Sequence, residues 1–358
     1  MVEHVELLLF IGCSAIITHL LRKQKSRSAA TISELWIYPI KSCQGVKVSS
    51  ALVGQRGFFY DRILMLIDSE CKFVSQRTQP KMALIVVDID ETAKVLRVSA
   101  AGMEKTLLID LSSTGSSSRE TIACTVWGED CTAYLHPGCG EWFSEFLGLP
   151  AATFRLVQIA GKVSYYEILL EFLRSHFISI FPCRYGATST DEFVRPADQK
   201  YAPGGQAAFS DGFAFLLASH KSLQYLNRRL QKPVGMANFR PNIIVNACEA
   251  FAEDTWDSLI FESTPPVAMN VVKPCARCKM PTIDPTNGTF DPDNQPTKTI
   301  KKFRSGKALG FQDESWSGEV IRYLDDMTAL VQSLFCRCCC CNCIRDDLAL
   351  NIASSSYF

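Results

Sequence analysis

The chain lacks any excess of charge: 37 Lys and Arg stand against 37 Asp and Glu, for a formal net charge of zero. That balance gives no basic footprint for nucleic acid. Histidine is scarce, with five residues scattered over 358. Besides one C-x-x-C pair, the only dense thiols form an odd cluster at 336–343. The four-ligand set of a structural zinc site is therefore incomplete. The sixteen cysteines follow no framework spacing, and no small-x-small cleavage site precedes the body. Both absences argue against a secreted, disulfide-built protein and for a reduced, cytosol-facing one.

What is present is bulk. With 358 residues and 47% apolar content, the chain can hold two domains or one large one with a substantial core. Residues 5–21, VELLLFIGCSAIITHLL, are the first element. A helix of that length spans about 26 Å, slightly short of a ~30 Å hydrocarbon core. Arg22, Lys23, Lys25 and Arg27 follow, and a basic flank marks the cytosolic side. Residues 1–24 are thus expected to be a signal anchor, with a polar linker over 24–31. An amphipathic or core helix is the alternative, because the segment is short for spanning.

From Ile32 the pattern turns to β. Short apolar runs broken by turn residues lie at 34–42, 62–76, 82–90, 94–102 and 107–113. Glu91-Thr92-Ala93 is placed to connect two of them as a hairpin. A strand pair is expected around Gly128 within 121–135, and a short helix ended by Gly148. Residues 164–181 read as an amphipathic helix, since Glu167, Glu171, Arg174 and His176 oppose a second membrane span. Ser219 is expected to cap a helix that stops before Pro233, with a strand at Ile243–Val245. Residues 297–311 read as a basic strand with turns, and 317–335 as a helix. The cysteine cluster within 335–347 reads as disordered or non-native sequence, or as a palmitoylation site.

One stretch carries chemistry more openly than the rest. VKPCARCKMPTIDP, residues 272–285, places Cys275 and Cys278 among Lys273, Arg277 and Lys279. Pro274 and Pro281 oppose a continuous helix through it. Neighbouring cations lower a thiol's pKa, so this loop presents soft sulfur to a metal or a redox partner. Zinc, a thioredoxin-like dithiol and two packed core thiols are its competing readings. Elsewhere, Lys41 and Ser42 in YPIKSC, Arg62 in YDR, Ser210 and Asp211 in FSD, and Arg240 and Asn242 in FRPN recur as polar groups beside strands. Arg and Lys bind phosphate, and Asp and Asn read a polar heterocycle.

The order WIYPIKSC, YDR, SQRTQPKMALI, FSDGF, FRPN, FAEDTW and CARCKMPTIDP resembles the MOSC family, and within it the amidoxime-reducing members of mitochondria. The resemblance covers roughly residues 33–160 and 194–311. It implies an α+β chain. A β-rich N-terminal MOSC domain would occupy 31–160 and a MOSC β-barrel with peripheral helices 194–311. An insertion-like segment at 161–193 and an atypical Cys-rich tail at 312–358 depart from the family pattern. The family ends in a strand pair that closes the barrel, and 312–358 do not resemble it, so an open sheet edge is expected there.

The resemblance also implies a molybdenum cofactor, Mo-molybdopterin. Cys278 would be its metal ligand, with Arg277 and Lys279 favouring the thiolate, and Cys275 would not be a ligand. Lys41, Ser42, Arg62, Ser210, Asp211, Arg240 and Asn242 would bind the cofactor. Asp284 is the candidate for proton delivery. The implied reaction is reduction of N-hydroxylated compounds, amidoximes and hydroxylamines. Electrons would come from NADH through a flavin reductase and a b-type cytochrome. The implied place is the mitochondrial outer membrane with the body facing the cytosol, the endoplasmic reticulum membrane being the alternative. The rival reading is a molybdenum-cofactor-binding or sulfur-carrier MOSC protein without reductase activity. A pyridoxal-phosphate domain, as in the cofactor sulfurases, is not expected.

Overall fold

Along Ala30–Ile37 (β1), fully and partly buried positions nearly alternate. That two-residue period belongs to a strand with one face in a core, and it recurs through most of the molecule. The computed structural model describes residues 30–54, 56–111, 120–160, 195–261, 267–305, 308–309, 321–326, 343–345 and 349–354. The anchor expected at 1–24, the helix expected at 164–181 and most of the cysteine cluster lie outside those residues. No helix among the described residues is long and apolar enough to cross a membrane.

After β1 come Val46–Val48 (β2), Ser50–Gly54 (β3), Gly57–Phe58 (β4) and Leu64–Ile67 (β5). A 3-10 turn at Pro80–Leu84 precedes Val86–Asp90 (β6), Val95–Ser99 (β7) and Leu107–Asp110 (β8). Thr121–Val126 (β9), Glu129–His136 (β10), helix Cys139–Phe146 (α1) and Arg155–Ile159 (β11) complete the first half. The second half holds Phe215–Ser219 (β12), helix His220–Asn227 (α2), Ile243–Asn246 (β13), Trp256–Phe261 (β14) and Val267–Pro274 (β15). Ile283–Asp284 (β16), Thr289–Phe290 (β17) and helix Thr297–Arg304 (α3) follow. Ile321–Asp326 (β18), Cys343–Arg345 (β19) and Ala349–Ser354 (β20) come last.

The largest sheet runs β13-β12-β18-β15-β14-β20-β1-β2, and β1 also pairs with β13. Seven of these strands therefore make a pairing circuit that returns to its start. The first half contributes the sheets β5-β11-β10-β9 and β6-β7-β8. Two main apolar cores form, and the chain crosses between them: β1 packs in the second and Phe209 in the first. Leu64, Met65, Leu66, Val98 and Phe143 lie in the first, and Leu35, Phe215, Val245, Phe261 and Met269 in the second. Tyr60 and Ile89 touch both.

Several expectations hold. Asp90 pairs with Val95 across the turn at 91–94. Ser219 Oγ accepts the Ser222 N–H at 3.1 Å and caps α2, meeting a donor that the first helical turn leaves free. Two expectations fail. Residues 297–304 are helical rather than extended. Ile300 and Phe303, three apart, share one face against Leu226, while Lys298, Lys301 and Lys302 point outward. That is helical spacing within a run whose charge masked it. Residues 321–326, expected as helix, are instead a strand between β12 and β15. A short apolar run fits either period, and two unpaired sheet edges capture it as β. With β20 paired to both β14 and β1, the open edge expected at the end of the chain is occupied.

Candidate functional site

The chain leaves β1 through Tyr38-Pro39-Ile40, and the Lys41 N–H donates to the Leu64 carbonyl at 2.8 Å. That tie to β5 holds the Lys41 side chain between the two halves. Lys41 is 5% exposed. Its Nζ donates to Asp211 Oδ1 at 2.6 Å and to the Phe209 carbonyl at 2.8 Å. Burial pulls its pKa below the ordinary lysine value, against the opposing pull of Asp211. The Asp211 carboxylate feels desolvation too. The Lys41 ammonium and the hydrogen bonds from Lys41 and Trp127 outweigh it and hold the carboxyl well below its usual range.

A second knot lies beside the first. Asp61, fully buried, accepts from the Tyr38 N–H at 2.8 Å and pairs with Arg62 Nη1. Arg62 also donates to Asn242 Oδ1 at 3.0 Å and to the Arg240 carbonyl at 3.1 Å. Asn242 has no exposure; its amide also donates to the Trp36 carbonyl and accepts from the Leu216 N–H. Its hydrogen-bonding capacity goes to the protein, so it positions Arg62. The Tyr38 ring meets both guanidiniums, Arg62 at 4.7 Å and Arg240 at 4.3 Å. Burial pushes the Tyr38 hydroxyl up to about 12, although the two arginines oppose it.

Arg240 differs from the other cations. It is 9% exposed, its Nη2 has no hydrogen-bond partner, and it makes no ion pair among the described residues. Desolvation draws its pKa down to about 10. Ser210 Oγ is likewise buried and unpartnered. Ser42, Arg62 and Arg240 all have positive φ, at 75°, 48° and 57°. Backbone held in that region costs on the order of 1–3 kcal/mol per residue, and such positions gather at ligand sites.

Two residues of this region escaped the sequence reading. Arg195 is 2% exposed. It donates to the Ala208, Ser210 and Asp211 carbonyls and pairs with Glu129 at 2.9 Å. It sets the 208–211 turn that presents Ser210 and Asp211. Trp127 forms the β9–β10 turn with Gly128, with φ values of 58° and 83°. Two such residues in succession suit the tight hairpin turn that normally takes Asn-Gly. A bulky residue there is strained, and Trp127 Nε1 donates to Asp211 Oδ1 at 3.0 Å. The Arg77 guanidinium covers the indole at 4.0 Å. A tryptophan where asparagine belongs was the available signal.

The cysteine loop leaves the end of β15. No helix follows directly, only a 3-10 turn at Met280–Thr282, so the thioredoxin-like reading fails. Cys275 is buried beside Leu216, Ala218 and Phe239, and its Sγ accepts from Arg277 Nη1 at 3.1 Å. Arg277 Nη2 donates to the Phe239 carbonyl at 3.0 Å, tying the loop to the residue before Arg240. Arg277 thus serves Cys275 instead of Cys278, and Lys279 lies over the Phe290 ring at 4.0 Å. Cys278 is half-buried, and among the described residues its Sγ accepts only the Met280 N–H at 3.5 Å. Asp284 sits apart. Its Oδ1 accepts from the Thr286 N–H and hydroxyl, and its Oδ2 from Lys232 at 3.0 Å. Those bonds, led by the one from the Thr286 hydroxyl, hold its pKa down at about 2. That is the environment of a turn-capping carboxylate, and it opposes the proton-donor role.

The donor set fits an anionic group. Arg240 Nη2 and Ser210 Oγ are buried polar atoms without partners, and an anion placed on them relieves both deficits. Among the described residues no group of three or more His, Cys, Asp or Glu side chains could hold a metal ion. Cys278 therefore has no second protein ligand gathered around it among the described residues.

Comparison with known proteins gives a consistent pattern. Residues 29–150 match the MOSC N-terminal beta barrel domain, and residues 204–325 match the MOSC domain. The chain is similar to mitochondrial amidoxime reducing component 2 of Bos taurus, with 33% identity over 289 residues, 79% of this chain and 75% of that protein. The human protein of the same name is 33% identical over 291 residues, 79% of this chain and 75% of its own length. Human mitochondrial amidoxime-reducing component 1 is also 33% identical, over 79% of this chain and 74% of that protein.

Proposed function

The chain belongs to the MOSC family, and from that premise we propose that it is a molybdenum-cofactor-dependent reductase of N-hydroxylated compounds, amidoximes and hydroxylamines among them. The observation that carries the reading is the buried Arg240 guanidinium, which lacks an anion and is tied through Phe239 and Arg277 to the cysteine loop. We read the seven-strand circuit as the family's β-barrel, with the cofactor lying between it and the first half.

In this reading Arg240 takes the phosphate of the pterin, supported by Lys41 and Arg62. The Ser210 hydroxyl and the Ser42 and Asp211 backbone region bind its polar ring. Asn242 and Asp61 hold Arg62 in place. The Cys278 thiolate is the protein's ligand to molybdenum, which suits a soft sulfur donor, and Cys275 packs behind it. When bound, the cofactor supplies the oxygen-atom and electron chemistry that reduces N–OH. The protein's part is to bind, orient and exclude water. Electrons arrive from NADH through a flavin reductase and a b-type cytochrome. Residues 1–24 anchor the chain in the mitochondrial outer membrane, with the body in the cytosol.

The test is metal and pterin analysis of the purified full chain, followed by benzamidoxime reduction with the reconstituted NADH chain. Stoichiometric molybdenum and pterin with turnover support the reading. Molybdenum without turnover supports the non-reductase alternative, and a chain that loads neither overturns both.

A further inference from the structure

Behind the Trp127–Gly128 turn, Cys124 of β9 and Cys131 of β10 stand directly opposite each other in the antiparallel register. Their sulfurs are 3.4 Å apart and neither is bridged. Cys124 is 2% exposed and closes the apolar side, whereas Cys131 is only partly buried and can be reached from solvent. We propose that Cys124 and Cys131 form a reversible thiol–disulfide site whose oxidising substrate is a hydroperoxide. This does not depend on the cofactor reading.

The chemistry is asymmetric in the way such a site needs. The hydrogen bond from Cys124 draws the Cys131 thiol down, with help from Arg195, while the same contact and burial push Cys124 up. The accessible sulfur is the nucleophile and the buried one resolves it. The Cys131 thiolate attacks one peroxide oxygen, and the O–O bond breaks. The other oxygen leaves with a proton as water or alcohol, and Cys131 becomes a sulfenic acid. The Cys124 sulfur then attacks the Cys131 sulfur. The S–S bond forms, the S–O bond breaks, and the hydroxyl leaves as water with the Cys124 proton. Together the two thiols lose two electrons and two protons, and the hydroperoxide is reduced. A dithiol reductant reverses the bridge.

The location gives the bridge an effect. Closing 3.4 Å to a bond of about 2.05 Å draws the two strands together. The hairpin tip carries Trp127, bonded to Asp211, and Glu129, paired with Arg195. Oxidation therefore acts on the turn that presents Ser210 and Asp211.

The experiment treats the full chain with equimolar hydrogen peroxide, blocks remaining thiols by alkylation and maps the peptides. The expected result is a Cys124–Cys131 cross-linked peptide, two hydrogens lighter than the thiol forms and lost again with dithiothreitol. In Cys124→Ser, Cys131 should stop at a sulfenic acid that dimedone traps. The proposal falls if both cysteines stay fully alkylated under peroxide that oxidises other thiols. It falls equally if Cys71, whose sulfur accepts from Arg155, replaces either partner in the bridge. The wild-type map decides the matter even if the serine variant fails to fold.

Discussion

The Arg240 guanidinium lies 4.3 Å from the centre of the Tyr38 ring, stacked on an aromatic face and without a carboxylate. A cation buried this way destabilises the empty protein and waits for an anion.

Replacing it should separate two quantities that usually move together. Arg240→Met should raise the melting temperature of the cofactor-free protein, because an uncompensated buried charge is removed. It should also weaken cofactor retention by about 1.5–3 kcal/mol, the scale of a charge-assisted hydrogen bond. Lys41→Ala should weaken retention as well but lower the melting temperature, since it removes the Nζ hydrogen bonds to Asp211 and the Phe209 carbonyl. Thermal scans of the empty protein and pterin release rates check both. A variant that lost stability and kept its pterin would remove Arg240 from the site.

The two loop cysteines should respond unequally. Cys278→Ser exchanges a soft donor for a hard one and should abolish molybdenum loading and N-hydroxy reduction. Cys275→Ser changes a packed sulfur that accepts from Arg277, so it should cost stability and keep much of the activity. Molybdenum content and turnover, measured on both variants, decide the assignment. Equal losses would mean that the two sulfurs act as a pair.

Trp127→Asn should improve the β9–β10 turn, since asparagine accepts positive φ. The same change deletes the hydrogen bond to Asp211. The expected outcome is a cofactor-free protein of unchanged or higher melting temperature that releases its pterin faster. Slower release than in the wild type would show that Trp127 strains the pocket instead of supporting it.

Glu253 makes stability depend on pH. It is 1% exposed, its Oε1 accepts from Ser222 at 2.6 Å, and its Oε2 has no partner among the described residues. Burial pushes its pKa from 4.5 up to about 7. The folded state holds a proton that the unfolded state releases, so stability falls as pH rises. The contribution is full below pH 4.5 and is lost by about pH 7. The shift corresponds to a few kcal/mol, on the order of 3. Glu253→Gln should flatten this part of the profile and stabilise the protein most above pH 7. Urea unfolding at a series of pH values measures it, and parallel profiles for the two proteins would contradict the assignment.

How much of this was legible beforehand depended on range. The β6–β7 hairpin and the Ser219 cap are local, and their signals lie within a few residues of what they specify. Lys41, Arg62, Ser210, Asp211 and Arg240 stand in motifs read in one order, and the fold brings Lys41 to Asp211 and Arg62 to Arg240. Arg195 and Trp127 were not singled out. Each acts through partners far along the chain, Arg195 through Glu129 and Trp127 through Asp211, and no local pattern marks such pairs. For Asp284, a carboxylate in a turn and one in an active site look alike until its neighbours, Thr286 and Lys232, are known. The strand at 321–326 owes its form to β12 and β15 on either side, which six residues cannot announce.

The pairing of Ala30 with Leu350 has a consequence for synthesis. The first strand of the circuit cannot find this neighbour until Leu350 has been translated. A ribosome elongates at about 5–20 residues per second, so the growing chain passes tens of seconds before β1 meets this partner. Pairings this distant in sequence also close slowly. The nascent chain is therefore a client for holding chaperones, and truncations that remove β20 should aggregate during translation rather than unfold afterwards.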